Sequence, residues 1–389
     1  MKKKWFNLSK DITLLGIVSF FTDISSEMIF SVFSIFFTII LGASAFLLGL
    51  VEGLSDLASS SLDYISGYLS DKAGKRKIYA TIGYLFSTLS KGLLVISQTI
   101  YSAFFFRVVE RFGKSFRGPP KDAWIASLSN GNNRGYAFAL HKTFDKAGAI
   151  IGPLIAYFIL DYFGQTLNAF KIIFLIALIP AILAVLILFF LKDKPSKPVK
   201  RENIFKAYKS FNKTLKNYVL IAGIFSIAYF SFSFLLLKSY LVGFQLKDIA
   251  LLYSIFNLAF VFVSIPIGKL GDKIGRRKIV LFSYLIYAIM CLGFVYATTK
   301  LQVIGLFVLF GIFYTIDEGQ TKAFISDLEA KKRGTAIGFY NFITGIVYLA
   351  ASIIAGYLWT INPNYTFIFA ALVAFISFIL FFIKFLNKN

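Results

Sequence analysis

Five cations recur every three or four residues in one stretch of the chain: Arg107, Arg111, Lys114, Arg117 and Lys121. At helical pitch this spacing sets them on one face, and Glu110 stands between the first two. The neighbouring residues are largely apolar. A cation in such surroundings is costly unless it is paired or wetted, so the row must face a partner or a water-filled path. Arg117 and Lys121 are near enough to one end to reach lipid headgroups; Arg107 and Arg111 lie too deep. Two kinds of chemistry fit: binding of an anionic solute, or exchange of a proton with nearby carboxylates. The bland alternative is a structural ion pair with Glu110.

Carboxylates are available. Asp23 and Glu27 sit one helical turn apart, and Glu52, Asp56 and Asp63 follow in the next apolar stretch. A carboxyl group is neutral when isolated in hydrocarbon and ionised beside an arginine, which makes Asp23, Glu27, Asp56, Asp63, Arg107, Glu110 and Arg111 candidates for proton coupling. Asp23 and Glu27 have no counterpart in the second half, so coupling is expected in the first. His141 is the only histidine. It shares a helical face with Asp145, and histidine titrates near neutral pH, so this pair is a candidate relay. A plain hydrogen-bonding histidine is the alternative. Polar residues expected to line a solute path are Arg107, Arg111, Lys114, Asn257, Asp317, Glu318, Lys322 and Asn341.

The elements that carry these residues follow from composition. Hydrophobic residues make up 58% of the chain and charged residues 15%, with a mean hydropathy of +0.74. Soluble domains carry about 25% charged residues. Apolar runs of roughly 20 residues match the thickness of a bilayer core, where only helices or a closed barrel satisfy the backbone. The runs are apolar on every side and too long for barrel strands. The sequence predicts twelve spans: 12–41, 45–70, 78–97, 100–127, 135–161, 168–191, 217–240, 247–271, 278–298, 301–327, 333–359 and 365–386. No cleavable signal peptide is evident at the start. The expected organisation is a six-helix bundle over 1–191, a cytoplasmic linker over 192–216 holding Pro195 and Pro198, and a second six-helix bundle over 217–389. Within the linker, 204–215 mixes aromatics with lysines and is expected either to lie as an interfacial helix or to act as a solvated tether.

One motif occurs twice, about half the chain apart. Gly67-Tyr68-Leu69-Ser70-Asp71-Lys72-Ala73-Gly74-Lys75-Arg76-Lys77 is echoed by Gly268-Lys269-Leu270-Gly271-Asp272-Lys273-Ile274-Gly275-Arg276-Arg277-Lys278. Each copy falls between two apolar runs. The expected roles are close helix approach at Gly67 and Gly268, a tight turn at Gly74 and Gly275, and a carboxylate at Asp71 or Asp272 that pairs with a nearby cation. Lys75, Arg76, Arg276 and Arg277 set orientation. A net charge of +22 suggests nucleic acid as a partner, but the basic residues gather at one end of the spans, as the positive-inside rule demands. Both termini are therefore expected in the cytoplasm and the chain in the cytoplasmic membrane, partnered by the lipid bilayer and by no nucleic acid.

Twelve spans in a 6+6 repeat, a central basic linker and the duplicated motif resemble the major facilitator superfamily along essentially the whole chain. That resemblance implies an all-α membrane fold of two pseudo-symmetric six-helix bundles. It also implies a transporter that works by alternating access as a monomer, with the duplicated motif latching one state. Arg-x-x-x-Arg at Arg107 and Arg111 is similar to the family's span-4 motif, which implies proton coupling. Gly148-x-x-x-Gly152-Pro153 resembles the span-5 motif of proton-driven antiporters, although Ala156 and Tyr157 replace its final glycines; close helix packing is the role it retains. Residues 20–28 and 113–122 resemble a prokaryotic branch of general transporters.

No phosphate-binding loop is present, so ATP-driven pumping is not expected. One histidine and one cysteine argue against a zinc site, and no serine sits in a nucleophile elbow. Neither a cofactor nor an enzymatic activity is expected. The function read from the sequence is proton-coupled movement of a small solute, an organic anion if the span-4 cations face the path. The alternative is multidrug efflux, if carboxylates neutralise that row and the 47 phenylalanines and 21 tyrosines line the path. A transport-dead sensor or scaffold is the remote third.

Overall fold

Runs of apolar side chains in hydrocarbon leave the backbone to satisfy itself, and this chain does so as helix. The computed structural model describes residues 9–96, 98–129, 133–193, 208–209, 211–329 and 332–386. Among them there are helices and no strands. Eleven are long and apolar enough to cross a membrane: span 1, Lys10–Ile40; span 2, Ala45–Ala73; span 3, Lys77–Ile96; span 5, Arg134–Phe163; span 6, Leu167–Phe190; span 7, Lys213–Leu241; span 8, Leu246–Ile274; span 9, Arg276–Tyr296; span 10, Lys300–Leu328; span 11, Arg333–Ile361; and span 12, Pro363–Phe385. Span 4, Ile100–Leu128, matches them in length; its row of charges alone keeps it out of the apolar class.

Three spans depart from a plain α-helix. Span 1 ends in a π-helical turn, Phe36–Ile40. Span 7 breaks between Lys213–Ala228 and Ser233–Leu241. No glycine or proline marks the break. Three aromatic rings pull in different directions instead: Tyr229 meets Tyr348 at 5.1 Å, Phe230 meets Phe367 at 5.5 Å and Phe232 meets Phe256 at 5.1 Å. The Ser231 hydroxyl accepts from the Ser233 amide at 3.3 Å, which helps satisfy the opened backbone. Span 10 carries a π turn at Ile316–Gln320 that holds Asp317 and Glu318. Such turns mark functional sites more often than chance.

The chain forms two compact units. The first comprises Met1–Gly42, Ala58–Arg201 and Leu246–Ser254; the second comprises Ala43–Leu57, Glu202–Gln245 and Ile255–Asn389. The division differs from 1–191 and 217–389 at two places, the starts of spans 2 and 8. Within the first unit, Gln165 accepts from the Leu246 amide at 2.6 Å, Lys247 pairs with Asp161, and the Ser254 hydroxyl donates to the Ile150 carbonyl at 3.2 Å. Within the second, a Cβ on Gly356 would lie 2.7 Å from the Ala45 carbonyl oxygen, and Glu52 accepts from the Ser233 hydroxyl at 3.0 Å. The linker largely lies outside the described residues, and within 204–215 so do 204–207 and 210. Span 7 already starts at Lys213, where Asn212 caps the helix by accepting from the Leu215 amide at 2.7 Å.

Close crossings of small residues hold the first unit together. A Cβ on Gly148 would lie 2.5 Å from the Phe20 carbonyl oxygen, and one on Gly152 would lie 2.6 Å from that of Ile24, so span 5 rides directly on the backbone of span 1. Spans 3 and 4 meet the same way, with a Cβ on Gly83 falling 2.6 Å from the Gly113 carbonyl oxygen. Span 4 runs unbroken through Pro119 and Pro120. Pro119 has no amide to give the Ser115 carbonyl. The Ser66 hydroxyl of span 2 donates to that carbonyl instead, at 3.3 Å.

Candidate functional site

These crossings press the cations of span 4 against spans 1 and 3. Arg107, 4% exposed, lies over the rings of Phe30 at 4.3 Å and Phe33 at 5.5 Å. Arg111 and Lys114 share the Phe30 ring at 5.2 and 6.0 Å, and Lys114 also approaches Glu27 at 3.8 Å. Arg117 lies over Tyr84 of span 3 at 4.7 Å. Lys121 donates to the Ser19 hydroxyl at 3.3 Å. Each of the five therefore meets an aromatic face, a carboxylate or a hydroxyl of the same unit, which are the partners a desolvated cation requires.

Around this row lie the proton-coupling candidates of the first unit. His141 Nε2 is 2.9 Å from the Ser19 hydroxyl, and Nδ1 is 3.8 Å from Asp145. Lys121, Ser19, His141 and Asp145 thus form one connected group. Asp23 lies within electrostatic reach of Asp145, Glu27, Lys114 and Lys121. Asp63 faces span 4 at Gly118, where a Cβ would lie 3.8 Å from its carboxylate. Asp56 and Glu52 belong to the second unit, with Asp56 in electrostatic reach of Tyr348. The spacing that groups them with Asp63 is real along the helix, but span 2 changes units between Leu57 and Ala58.

Lys91 of span 3 joins this group, though it is not among the residues expected above. Its side chain is fully buried and donates to the hydroxyls of Ser25 at 2.7 Å and Ser26 at 3.0 Å. A lysine in the middle of an apolar span is itself a signal, and Ser87, Ser90 and Lys91 lie along one side of that helix. Glu110, also fully buried, accepts from Ser26 and from Ser87, both at 3.4 Å.

Both motif turns use their last glycine in the left-handed region, with φ of 65° at Gly74 and 94° at Gly275. The ion pairs differ. In the first copy Arg76 pairs with Asp71 and also donates to Ser70 at 3.1 Å. In the second, Arg276 bonds Asp272 at 3.2 Å and both oxygens of Asp327 at 2.7 and 2.8 Å. Lys75 and Arg277 are exposed and Gly67 is buried. A Cβ on Gly268 would meet nothing within 4 Å, so the close approach expected there is absent. It occurs at Gly271 instead, against the Gln320 side chain. Pro153 sits inside span 5 without ending it.

In the second unit Asn257 is buried on span 8, Asn341 is half-buried on span 11 and Lys322 is exposed. Asp317 stands within electrostatic reach of Tyr229, Tyr284, Tyr340 and Tyr348. These tyrosines pack among further rings, with Tyr284 stacked on Phe225 at 4.1 Å and neighbouring Tyr287 tilted against Phe313 at 4.7 Å. The cluster went unread as such; Tyr284 and Tyr287 one turn apart, and Tyr340 and Tyr348 two turns apart, were its traces.

A family model described as the Major Facilitator Superfamily matches residues 15–248 and 219–389. An MFS-type transporter of Methanocaldococcus jannaschii is 38% identical over 377 residues, covering 95% of this chain and 94% of the relative. Multidrug resistance protein 1 of Bacillus subtilis is 27% identical over 316 residues, covering 79% of each chain. Among solved structures, the nucleoside transporter NupG superposes with a TM-score of 0.79 at 14% identity, covering 98% of this chain and all of that one. The chain belongs to the Major Facilitator Superfamily and has its all-α membrane fold. It is a multi-pass membrane transporter.

Proposed function

We propose that the chain is a proton-coupled secondary transporter for amphipathic, cationic solutes. One observation carries this reading: the Phe30 ring serves Arg107, Arg111 and Lys114 together. The span-4 cations are engaged inside their own unit rather than held ready for an anion. That leaves solute chemistry to the tyrosines around Asp317, where aromatic faces and a carboxylate suit a lipophilic cation. The similarity to the Bacillus multidrug resistance protein favours the same class. Asp23, Glu27, His141 and Asp145 carry the coupling proton in this reading. The basic loops set both termini in the cytoplasm, across the cytoplasmic membrane. The monomer alternates its access through the halves 1–191 and 217–389, with Asp71 and Asp272 latching the motif turns.

One observation favours the organic anion as a second reading: the Lys114 side chain is 37% exposed. Proteoliposomes separate the two. Tetraphenylphosphonium and benzoate are offered under an imposed proton gradient. Gradient-driven flux of the cation that Asp317→Asn abolishes is the expected result. Flux of benzoate that Lys114→Ala abolishes would replace the cation reading, and flux of either that ignores the gradient would remove the coupling.

A further inference from the structure

Lys91 belongs neither to the aromatic solute site nor to the coupling carboxylates, yet among the described residues it is the most enclosed cation, at 0% exposure. We propose that Lys91, Ser26 and Glu110 form a proton relay inside the first unit, a hydroxyl-bridged path from span 3 through span 1 to span 4. Its use in transport rests on the proton coupling proposed above; the relay itself does not.

The donors and acceptors run in one direction. The Lys91 ammonium donates to Ser26 Oγ at 3.0 Å, and the Ser26 hydroxyl donates to Glu110 Oε1 at 3.4 Å. Transfer breaks one N–H bond of Lys91 and forms an O–H bond on Ser26. The original Ser26 O–H bond breaks as its proton passes to Glu110. The serine is unchanged, and an ammonium–carboxylate pair has become an amine and a carboxylic acid. No other reactant is needed. The step removes two charges at once from a site where each is expensive to bury. Glu110 Oε2 is buried with no hydrogen-bond partner, so the protein does not anchor both oxygens as it would for a permanent anion.

The charged groups around the relay set its balance. Span 1 brings Asp23 and Glu27 and span 4 brings Arg117 to bear on Lys91. Span 4 brings Arg111, Lys114 and Arg117 to bear on Glu110. Span 6 also packs on span 3 but adds no charge there, because its single charged residue, Lys171, is exposed. The span-1 carboxylates stabilise the ammonium. A proton taken up by Asp23 weakens that support, and the relay then passes a proton on to Glu110. Span 1 in this way hands its protonation state to span 4.

Infrared difference spectra of the purified full chain between acid and neutral pH test the relay without any solute. The expected result is a protonated-carboxyl C=O band that disappears in Glu110→Gln and also in Ser26→Ala, where the charges remain but the bridge is cut. Ser26→Thr, which restores a hydroxyl, recovers it, and Lys91→Met, which removes the donor, loses it as Ser26→Ala does. The same band in wild type and Ser26→Ala would show that Glu110 takes its proton by another route. A wild-type spectrum with no Glu110-dependent band would make Lys91–Glu110 a fixed ion pair. Either outcome overturns the relay, whatever the proteoliposome assay finds.

Discussion

Arg276 grips Asp327 through both carboxylate oxygens, while the residue that matches Asp327 in the first half is Ala126. The repeated motif therefore closes differently in its two copies. The second pair is open, with Arg276 and Asp327 side chains 31% and 53% exposed; the first is enclosed, at 9% for Arg76 and 10% for Asp71. Exposed ion pairs contribute about 0–1 kcal/mol, whereas removing one partner of a buried pair costs about 3–5 kcal/mol. Asp71→Ala is thus expected to lower the melting temperature in detergent well beyond Asp327→Ala. Equal shifts would show that burial does not separate the copies.

Gly152 and Gly268 offer a second contrast. A Cβ on Gly152 would enter the span-1 backbone at Ile24, whereas one on Gly268 meets no atom within 4 Å. Gly152→Ala is expected to cost about 1–3 kcal/mol, as overpacking does, and Gly268→Ala to be neutral or mildly stabilising through its better helix propensity. Thermal unfolding of the two variants side by side decides it. A destabilised Gly268→Ala would mean that the motif end of span 8 is packed in a state other than this one.

Ser66 and Pro119 should be coupled. Ser66→Ala leaves the Ser115 carbonyl without the hydroxyl that serves it, at a cost of about 1 kcal/mol. Pro119→Ala restores the missing amide, so in that background Ser66→Ala is expected to cost less. A double-mutant cycle of unfolding free energies reads the coupling. Strict additivity would mean that the Ser66 contact contributes nothing.

Proton coupling predicts a separation of two transport modes. Asp23→Asn keeps the shape of the side chain and removes its titration. Flux driven by a proton gradient is expected to fall at least about tenfold, a change of about 1.4 kcal/mol in the driving step. Solute exchange at equal pH on both sides should continue. If exchange falls in parallel, Asp23 serves solute binding or folding rather than coupling.

Much of this architecture was legible because it rests on repeating physics. Apolar length set the spans, the twin motifs marked corresponding turns, and the pitch of Arg107 to Lys121 put five cations on one face. What escaped depends on partners distant in sequence. The break in span 7 has no proline or glycine to announce it; it follows from three rings finding separate neighbours in spans 8, 11 and 12. Asp56 and Asp63 look alike in a helical projection, yet span 2 divides them between units. Lys91 is a single letter in an apolar run, and its meaning appears only when Ser25, Ser26 and Glu110 come in from two other helices. Gly268 and Gly271 show the same limit within one motif, since which glycine is crowded depends on where Gln320 lies.

The hydroxyl of Ser66 also fixes an axial coordinate. Span 4 borrows one of its backbone hydrogen bonds from span 2, and only one height along the pair of helices lets the loan be made. Sliding by a single turn, about 5.4 Å, would break the bond from Ser66 to the Ser115 carbonyl. Ser59 adds a second tie at the same height, its hydroxyl 2.7 Å from that of Ser115, so one residue of span 4 sets the register of both helices twice over.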